Sequence, residues 1–213
     1  MSRPPKKSVR AALRQEVADV FRRAILDAAE QAFATHGYGA AKMADIAKRA
    51  GLAAGTIYKH FESKEDIFRA LFERCSDEFQ HVIDAQMASA PTNAPERLLV
   101  LVQAVLTQIE QRKATFTLFL EFGSNEWNIR QFGGPSAEKR YQGYLTRFSA
   151  LFEEGIREGT IRNDLQPEEM AQLLTGGLNG LIHAWLMQGA KTELAGRAAV
   201  VIEAFLHGVG VRT

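Results

Sequence analysis

The fold of this chain is decided by residues 43–66, MADIAKRAGLAAGTIYKHFESKED. Apolar residues on one face of its first part predict a short helix, and Gly51 interrupts that helix where the chain must turn. A second short helix is predicted over residues 53–61, with Ile57 and Phe61 one turn apart as its inward anchors. A helix, a tight turn around glycine and a second helix form the arrangement that places the second helix in the major groove of DNA.

Helical periodicity continues on both sides of this stretch and predicts an all-α fold of about nine helices. Upstream, apolar residues over 17–33 predict a first helix that ends near Gly37. Downstream, Ser63 and Asp66 are typical of a helix N-cap followed by an acidic third residue, and they open a helix that runs to about Met87. The remaining predicted helices cover residues 95–109, 114–123, 135–158, 167–188 and 193–207.

The chain is predicted to consist of four segments. The one clear linker, SAPTNAP at residues 89–95, follows the long helix. It separates that helix from a C-terminal part long enough to bury a core of its own. The expected segments are a basic N-terminal tail at 1–16, a helix-turn-helix DNA-binding domain at 17–63, a connecting helix at 64–88, and a ligand-binding and dimerisation domain at 89–213.

The net charge of +1 hides a basic head and an acidic body. Residues 1–60 carry 11 lysines and arginines against 5 acidic residues, whereas residues 61–213 carry 15 against 20. Clustered positive charge releases counterions from a phosphate backbone, so the head favours a nucleic-acid partner. Two interpretations of the tail stay open, namely DNA contact and a disordered solvated segment, and they concern Arg3, Lys6, Lys7, Arg10 and Arg14.

Several classes of function are disfavoured by what the sequence lacks. No stretch approaches the roughly 18 apolar residues of a membrane span, and the N-terminal stretch lacks the apolar run of a signal peptide. We therefore expect a cytoplasmic protein without a membrane partner. GxSxG, HExxH and glycine-rich phosphate-loop motifs do not occur, so we expect neither an enzyme nor a cofactor. With one cysteine, Cys75, which we expect to be buried on a helix, and five scattered histidines, no disulfide or metal site is expected.

If the two anchors of the second short helix face inward, its opposite face is free to meet DNA. Gly55 removes a side chain that would hold the helix off the groove, while Lys59 reaches a guanine edge or a phosphate. Tyr58 and His60 suit phosphate contacts on the flanks. The predicted DNA-binding residues are Lys42, Ala53, Ala54, Gly55, Thr56, Tyr58, Lys59, His60 and Lys64.

Four stretches in the N-terminal part of the sequence resemble the signature of the TetR family of transcriptional regulators. The resemblance is carried by ILDAAEQAF at 25–33, Gly37-Tyr38, MADIAKRAGL at 43–52 and GTIYKHFESKED at 55–66. It implies a nine-helix fold in which helices 1 to 3 bind DNA and helices 5 to 9 hold a ligand. It also implies a homodimer formed through the last two helices.

Two positions depart from the family pattern. Ala40-Ala41-Lys42 stands where the family commonly has a Thr or Ser that caps helix 2, which shifts this phosphate contact to Lys42. Ala53-Ala54 stands where a Ser and another polar residue are common. Base readout is therefore expected to be leaner, with thymine-methyl contacts from the two alanines beside Thr56 and Lys59.

Aromatic residues concentrate between residues 116 and 152. For each alone, core packing is the simpler interpretation. Together, in a family whose helices 5 to 8 surround an effector site, they indicate a pocket for an apolar, aromatic or acyl-chain ligand. His183 is either a ligand contact or an interior histidine with satisfied hydrogen bonds. The predicted pocket residues are Phe116, Phe119, Leu120, Trp127, Tyr141, Tyr144, Phe148, Asn179 and His183.

The last two predicted helices are apolar on more than one side, and Gly176, Gly177 and Gly180 allow another helix to approach closely. This favours a two-fold dimer over one larger monomeric core. Together with the resemblance, it predicts a dimeric repressor that binds a near-palindromic operator in double-stranded DNA. A small, mostly apolar effector would shift the connecting helix and release the operator. The alternatives are a ligand-insensitive regulator and an activator.

Overall fold

The protein is all-helical over the residues that the structure describes, which confirms the predicted fold class. It divides into two compact units, Met1–Phe72 and Glu73–Thr213, and the boundary falls inside a helix. The structure is a computed structural model, and it describes residues 6–123 and 126–209, with side chains for residues 10–119 and 138–207.

Unit 1 is built from one long helix and shorter ones packed around a small aromatic core. The ring of Phe33 lies 5.3 Å from that of Tyr38 and 6.4 Å from that of Phe68. The first helix is broken at Gly37, whose φ of 73° and ψ of 159° are available to glycine without strain. The elements are α1 (Lys6–Ala40), α2 (Met43–Arg49), α3 (Ala54–Ile57) and the first residues of α4 (Lys64–Ala88).

Helix α1 is longer than predicted, and its buried face is shorter. Residues 6–16, expected as a separate tail, are helical, because no glycine or proline interrupts the chain between Lys6 and Gly37 and good helix formers fill it. Val17 and Val20, two of the apolar residues that predicted this helix and would be buried on its inward face, are 53% and 56% exposed. The correction follows from packing, since α1 extends past the part of unit 1 that could cover these two side chains.

Helix α3 is shorter than the predicted span of residues 53–61. After Ile57 the chain continues as a tight turn in which the Lys59 N–H donates to the Thr56 carbonyl at 3.1 Å. The Phe61 N–H still donates to the Ile57 carbonyl at 3.0 Å. Glycine, threonine and isoleucine in succession disfavour a longer helix, which accounts for the early end.

The predicted cap of α4 is confirmed. The backbone N–H of Asp66 donates to Ser63 Oγ at 3.1 Å and satisfies one of the free N–H groups of the first turn. Helix α5 begins in the same manner, with the Glu96 N–H donating to Asn93 Oδ1 at 2.9 Å. Its first residue, Ala94, lies one position before the predicted start.

Unit 2 is a bundle in which α5 packs against α7 and α9, and α7 packs against α6 and α8. Phe148 and Phe152 of α7 are fully buried in its core. Glu110 of α5 accepts hydrogen bonds from the backbone N–H groups of Leu194 and Ala195, at 3.1 and 2.8 Å. The elements are the rest of α4, α5 (Ala94–Gln111), α6 (Lys113–Gly123), α7 (Glu126–Glu158), α8 (Pro167–Met187), a short 3-10 helix (Ala195–Arg197) and α9 (Ala198–Val209).

Helix α7 begins earlier than the predicted residue 135. Gly133 and Gly134, expected to separate two helices, lie inside α7 together with Pro135. Packing of α7 against both α6 and α8 outweighs the poor helix propensity of these three residues. The last helix begins later than the predicted residue 193. A 3-10 helix comes first, and α9 follows it.

Cys75 is buried on α4, as predicted. Within residues 6–123 and 126–209, no helix combines the length and apolarity needed to cross a membrane. Among the side chains that the structure describes, His, Cys, Asp and Glu form no group of three or more that could hold a metal ion.

Candidate DNA interface and effector region

The surface around α3 separates buried anchors from exposed side chains in the way the sequence predicts. Ile57 is 0% exposed and Phe61 is 3% exposed, whereas Tyr58 is 55% exposed. Gly55 and Lys59 are exposed as well. The inward orientation of the two anchors is thus confirmed, and the face predicted to meet DNA is open in unit 1.

Helix α2 supports α3 through buried apolar contacts. Ile46 and Ala47 are 0% and 1% exposed. At the turn, Gly51 has a φ of 71°, and the Leu52 N–H donates to the Ala47 carbonyl at 2.9 Å. Lys42 precedes α2 with an extended backbone and an exposed side chain. Its predicted phosphate contact stays a prediction, as do the predicted base contacts of the exposed Ala53 and Ala54 and the half-buried Thr56.

His60 packs against α1 and is only half-exposed. Its ring lies 5.4 Å from the ring of Phe21, and its carbonyl accepts a hydrogen bond from Arg22 at 3.0 Å. The Arg22 guanidinium also stands 4.3 Å above the ring of Phe61. Sequence reasoning missed Arg22, whose partners lie almost forty residues away. His60 therefore packs against α1 within unit 1, and its predicted DNA contact stays a prediction.

Lys64 is committed to contacts inside unit 1. Its Nζ donates to the carbonyls of Tyr38, Gly39 and Ala41 at 2.6, 3.2 and 3.0 Å. It also stands 4.3 Å above the Tyr38 ring. An ammonium group has three donors, and all three are used here. Lys64 therefore joins the start of α4 to the end of α1, and its predicted phosphate contact stays a prediction.

A tyrosine and a glutamate next to this lysine influence each other's ionisation. Burial raises the pKa of the Tyr38 hydroxyl, and the neighbouring Glu65 carboxylate raises it further. The pKa of Glu65 is lowered, first by its own backbone N–H and then by the Tyr38 hydroxyl. The hydroxyl thus stays protonated, while the carboxylate stays charged.

Four of the nine predicted pocket residues form aromatic contacts in unit 2. The ring of Phe116 lies 6.2 Å from Phe119 and 6.1 Å from Phe79, which the prediction did not include. The ring of Tyr144 stands edge-on to Phe148 at 5.0 Å. Phe148 is fully buried in the core, whereas the rings of the other four are half-buried. Burial raises the pKa of the Tyr144 hydroxyl, so this group stays neutral.

Two predicted pocket residues lie on α8 outside the core-facing side. Asn179 and His183 are exposed, because Leu178 and Ile182 face the core and each following residue is rotated by about 100°. Both interpretations of His183, as an interior histidine and as a pocket contact, are therefore corrected for the single chain. Tyr141 is 38% exposed on α7. The side chains of Leu120 and Trp127 lie outside the described residues.

Three arginines of unit 2 form ion pairs with the second half of α4. The spacing is regular, since Asp77 and Asp84 of α4 are seven residues apart, as are their partners Arg140 and Arg147 of α7. The two helices therefore run in the same direction, and we call these four residues the arginine clasp. Arg147 lowers the pKa of Asp84. The pairs are Arg140 with Asp77 at 2.6 Å, Arg147 with Asp84 at 2.5 Å and Arg112 with Glu78 at 2.6 Å.

An N-terminal helix-turn-helix with an open second helix, followed by a separate helical unit, defines a DNA-binding transcription regulator. Comparison with known families agrees. Residues 25–71 match the model of bacterial regulatory proteins of the tetR family, and residues 72–208 match that of the C-terminal region of YsiA-like proteins. The chain belongs to the TetR family.

Relatives of this chain are transcriptional regulators, and the similarity covers nearly their whole length. The fatty acid metabolism regulator protein of Bacillus subtilis is 27% identical, with 87% of this chain and 93% of that protein covered. The HTH-type transcriptional regulator TtgR of Pseudomonas putida is 27% identical, with 85% and 88% covered. The relatives support a regulator rather than an enzyme.

Two solved structures share the fold over both units. The fatty acid degradation regulator FadR from Bacillus halodurans is 30% identical with a TM-score of 0.76, covering 90% of this chain and 97% of that one. FadR from Bacillus subtilis, solved in complex with stearoyl-CoA, is 27% identical with a TM-score of 0.74, covering 88% and 98%.

Proposed function

We propose that the protein is a dimeric transcriptional repressor that binds a near-palindromic operator and is released by a long-chain acyl thioester. The observation that carries the DNA half is the open face of α3, where Tyr58 and Lys59 are exposed beside the fully buried Ile57. Gly55 on this face lets the helix approach a groove, since a Cβ built there meets nothing within 4 Å.

Affinity for the operator would come mainly from phosphates and specificity from base edges. Lys59 and Thr56 are the side chains placed for base readout, while Tyr58 and Lys42 suit the phosphates on either side. The excess of positive charge over residues 1–60 supports this arrangement. Because each neutralised phosphate releases counterions, operator affinity should fall steeply as salt rises.

A dimer is supported by an apolar stripe on the outer side of α8 and α9. Leu173, Met187 and Val200 are 60%, 74% and 56% exposed. Between the first two, Gly176 and Gly180 are open to solvent, with room for another helix to approach. A two-fold axis through this stripe would present two heads to successive major grooves, roughly 34 to 36 Å apart or a multiple of this distance.

The acyl effector is supported by the half-buried aromatic rings of α6 and α7 and by the relative solved with stearoyl-CoA. Phe116, Phe119 and Tyr144 offer apolar surface that a long chain could cover. Release would follow if the effector favoured a shifted position of α4, which is one continuous helix across the boundary of the two units. By linkage, operator DNA must then weaken effector binding by the same factor.

The test uses the full-length protein and its operator, found by selecting bound sequences from random DNA. We expect one dimer-sized near-palindrome, and loss of binding by at least about tenfold in both Tyr58→Ala and Lys59→Ala. Lys191→Ala, an exposed lysine of unit 2, is the matched control and should bind normally. Unchanged operator affinity in both head variants would overturn the assignment of this face.

The effector is tested by adding stearoyl-CoA to the protein–operator complex at fixed salt. We expect operator affinity to fall by between about 5-fold and 150-fold. If stearoyl-CoA leaves the affinity unchanged, the protein is a ligand-insensitive regulator or takes a different ligand. A reporter placed behind the operator separates a repressor from an activator, since removing the protein should raise expression in the first case and lower it in the second.

A further inference from the structure

The arginine clasp joins α4, the helix that follows the DNA-binding domain, with α7, the helix that carries Tyr144 and Phe148. Arg140 and Arg147 lie on one face of α7, two turns apart, and reach the carboxylates of Asp77 and Asp84. Between the two arginines, Tyr144 lies on the same face of α7, with its ring 5.0 Å from that of Phe148. Apolar surface and two guanidinium groups are therefore next to each other.

The clasp is open to exchange with a solute. The side chains of Arg140 and Arg147 are 30% and 32% exposed, and those of Asp77 and Asp84 are 61% and 52% exposed. Ion pairs with this degree of exposure are weak, because water screens them. A phosphate group carries more charge than a carboxylate and binds a guanidinium through parallel hydrogen bonds. Such a group can therefore take the place of an aspartate.

We infer that the two clasp arginines form a binding site for the anionic headgroup of an acyl effector, which displaces the clasp aspartates and thereby frees α4. The inference rests on the proposed function and adds the residues that couple the effector to the head. In this arrangement the acyl chain covers the aromatic surface beside Tyr144, while the phosphates of the thioester occupy the arginines. Ligand binding and loss of the hold on α4 are then one event.

Two double variants of the full-length protein test this, because they break the same ion pairs from opposite sides. Arg140→Gln with Arg147→Gln removes the proposed site, whereas Asp77→Asn with Asp84→Asn leaves the arginines without competitors. Arg157→Gln with Arg162→Gln is the charge-matched control outside the clasp. Binding of stearoyl-CoA, stearate and CoA is measured by titration calorimetry, and operator affinity by mobility shift, after circular dichroism has established that each variant is folded.

The two double variants should change operator affinity in the same direction and stearoyl-CoA affinity in opposite directions. Without effector, both should bind the operator about threefold to tenfold more weakly than the wild type, because α4 is no longer held. The arginine variant should bind stearoyl-CoA at least about tenfold more weakly, with stearate affected less than about twofold. The aspartate variant should bind stearoyl-CoA about threefold to tenfold more tightly. An equal loss for stearate would also support the site and would identify the carboxylate as the bound group.

Other outcomes would overturn the inference. If wild type responds to stearoyl-CoA but both double variants bind it with wild-type affinity, the clasp is no headgroup site, while the proposed function stands. The same conclusion follows if both variants shift the affinity in one direction, since a merely structural role predicts that pattern. If wild type neither binds stearoyl-CoA nor loses its operator, the acyl effector and the inference fail together.

Discussion

Lys64 Nζ lies 2.6 Å from the carbonyl oxygen of Tyr38 and 4.3 Å from the centre of the tyrosine ring. The lysine begins α4, and the tyrosine follows the break at Gly37, so one side chain joins the two helices that flank the helix-turn-helix. The carbonyls at the end of a helix lack intrahelical partners, and a cation there satisfies them. Lys64 therefore fixes the frame in which α2 and α3 are held.

Lys64→Met should destabilise the protein, because three carbonyls lose their donor. We expect the free energy of unfolding to fall by about 1 to 3 kcal/mol, measured by urea denaturation. Lys59→Met, an exposed lysine nearby, should change it by less than about 0.5 kcal/mol. A Lys64→Met protein as stable as wild type but unable to bind its operator would instead support the phosphate contact that the sequence suggested.

Ile57→Ala and Tyr58→Ala should affect different properties although the residues are adjacent, namely stability in the first case and operator binding in the second. Ile57 is 0% exposed, so its truncation leaves a cavity that costs about 2 to 5 kcal/mol in thermal or chemical unfolding. Tyr58 is 55% exposed, so its truncation should leave stability within about 0.5 kcal/mol and weaken operator binding. Comparable stability losses in the two variants would mean that the face of α3 is assigned wrongly.

Gly37→Ala should cost stability through the backbone alone. The φ of 73° is strained for any residue with a Cβ, yet a Cβ built there meets nothing within 4 Å. The expected loss is about 1 to 3 kcal/mol in the free energy of unfolding. Gly39→Ala is the matched control, because Gly39 also has open space around it but, unlike Gly37, has no positive φ. This substitution should be neutral or stabilising by up to about 1 kcal/mol. Equal effects at both positions would argue against the break in α1.

Acid should destabilise unit 1 partly through Glu65. Its pKa is lowered in the folded state, by its own backbone N–H first and by the Tyr38 hydroxyl next. A lowered pKa contributes stability above the ordinary pKa of glutamate, and this contribution is lost as the pH falls through the folded value. In Glu65→Gln, the free energy of unfolding should therefore depend less on pH between about 6 and 3.

Tyr38→Phe should reduce the same pH dependence in part, because it removes the hydroxyl and keeps the ring. If Glu65→Gln retains the wild-type dependence over this range, the interaction between these two side chains contributes nothing to acid stability.

Leu173→Glu combined with Met187→Glu should convert the proposed dimer into a folded monomer. Both side chains are largely exposed in the single chain, so a charge costs little there, but it would be buried without a partner in a dimer. Light scattering after size-exclusion chromatography gives the mass directly. Gln142→Glu on α7 is the control and should keep the wild-type mass. A dimer that survives the double change would place the interface elsewhere.

Local features of this fold could be predicted from the sequence, and distant ones could not. The cap at Ser63 and the inward anchors Ile57 and Phe61 follow from spacing within one or two turns, and all three are found as expected. The partners of Lys64 lie 23 to 26 residues earlier in the chain, where no periodicity points to them. A lysine beside a helix-turn-helix was therefore assigned to DNA, although it binds the protein's own backbone.

The same limit applies to unit 2. The helical content of the chain around Gly133 depends on packing between helices, which propensity alone does not contain. His183 and Asn179 were placed in the pocket because their helix is apolar, yet the helix presents these two residues outward. The clasp had a signal in the seven-residue spacing of both aspartates and both arginines, but no rule links the two pairs before the helices are known to lie side by side.

The parallel register of the clasp makes intermediate positions of α4 unfavourable. The two aspartates are seven residues apart, which is about 10 Å along α4 at 1.5 Å per residue. A slide of one turn would leave both arginines without an aspartate at the same time. A helix held in this way does not move in proportion to the force on it. It stays or it leaves, so each molecule should release its operator in a single step, while the released fraction rises with ligand occupancy.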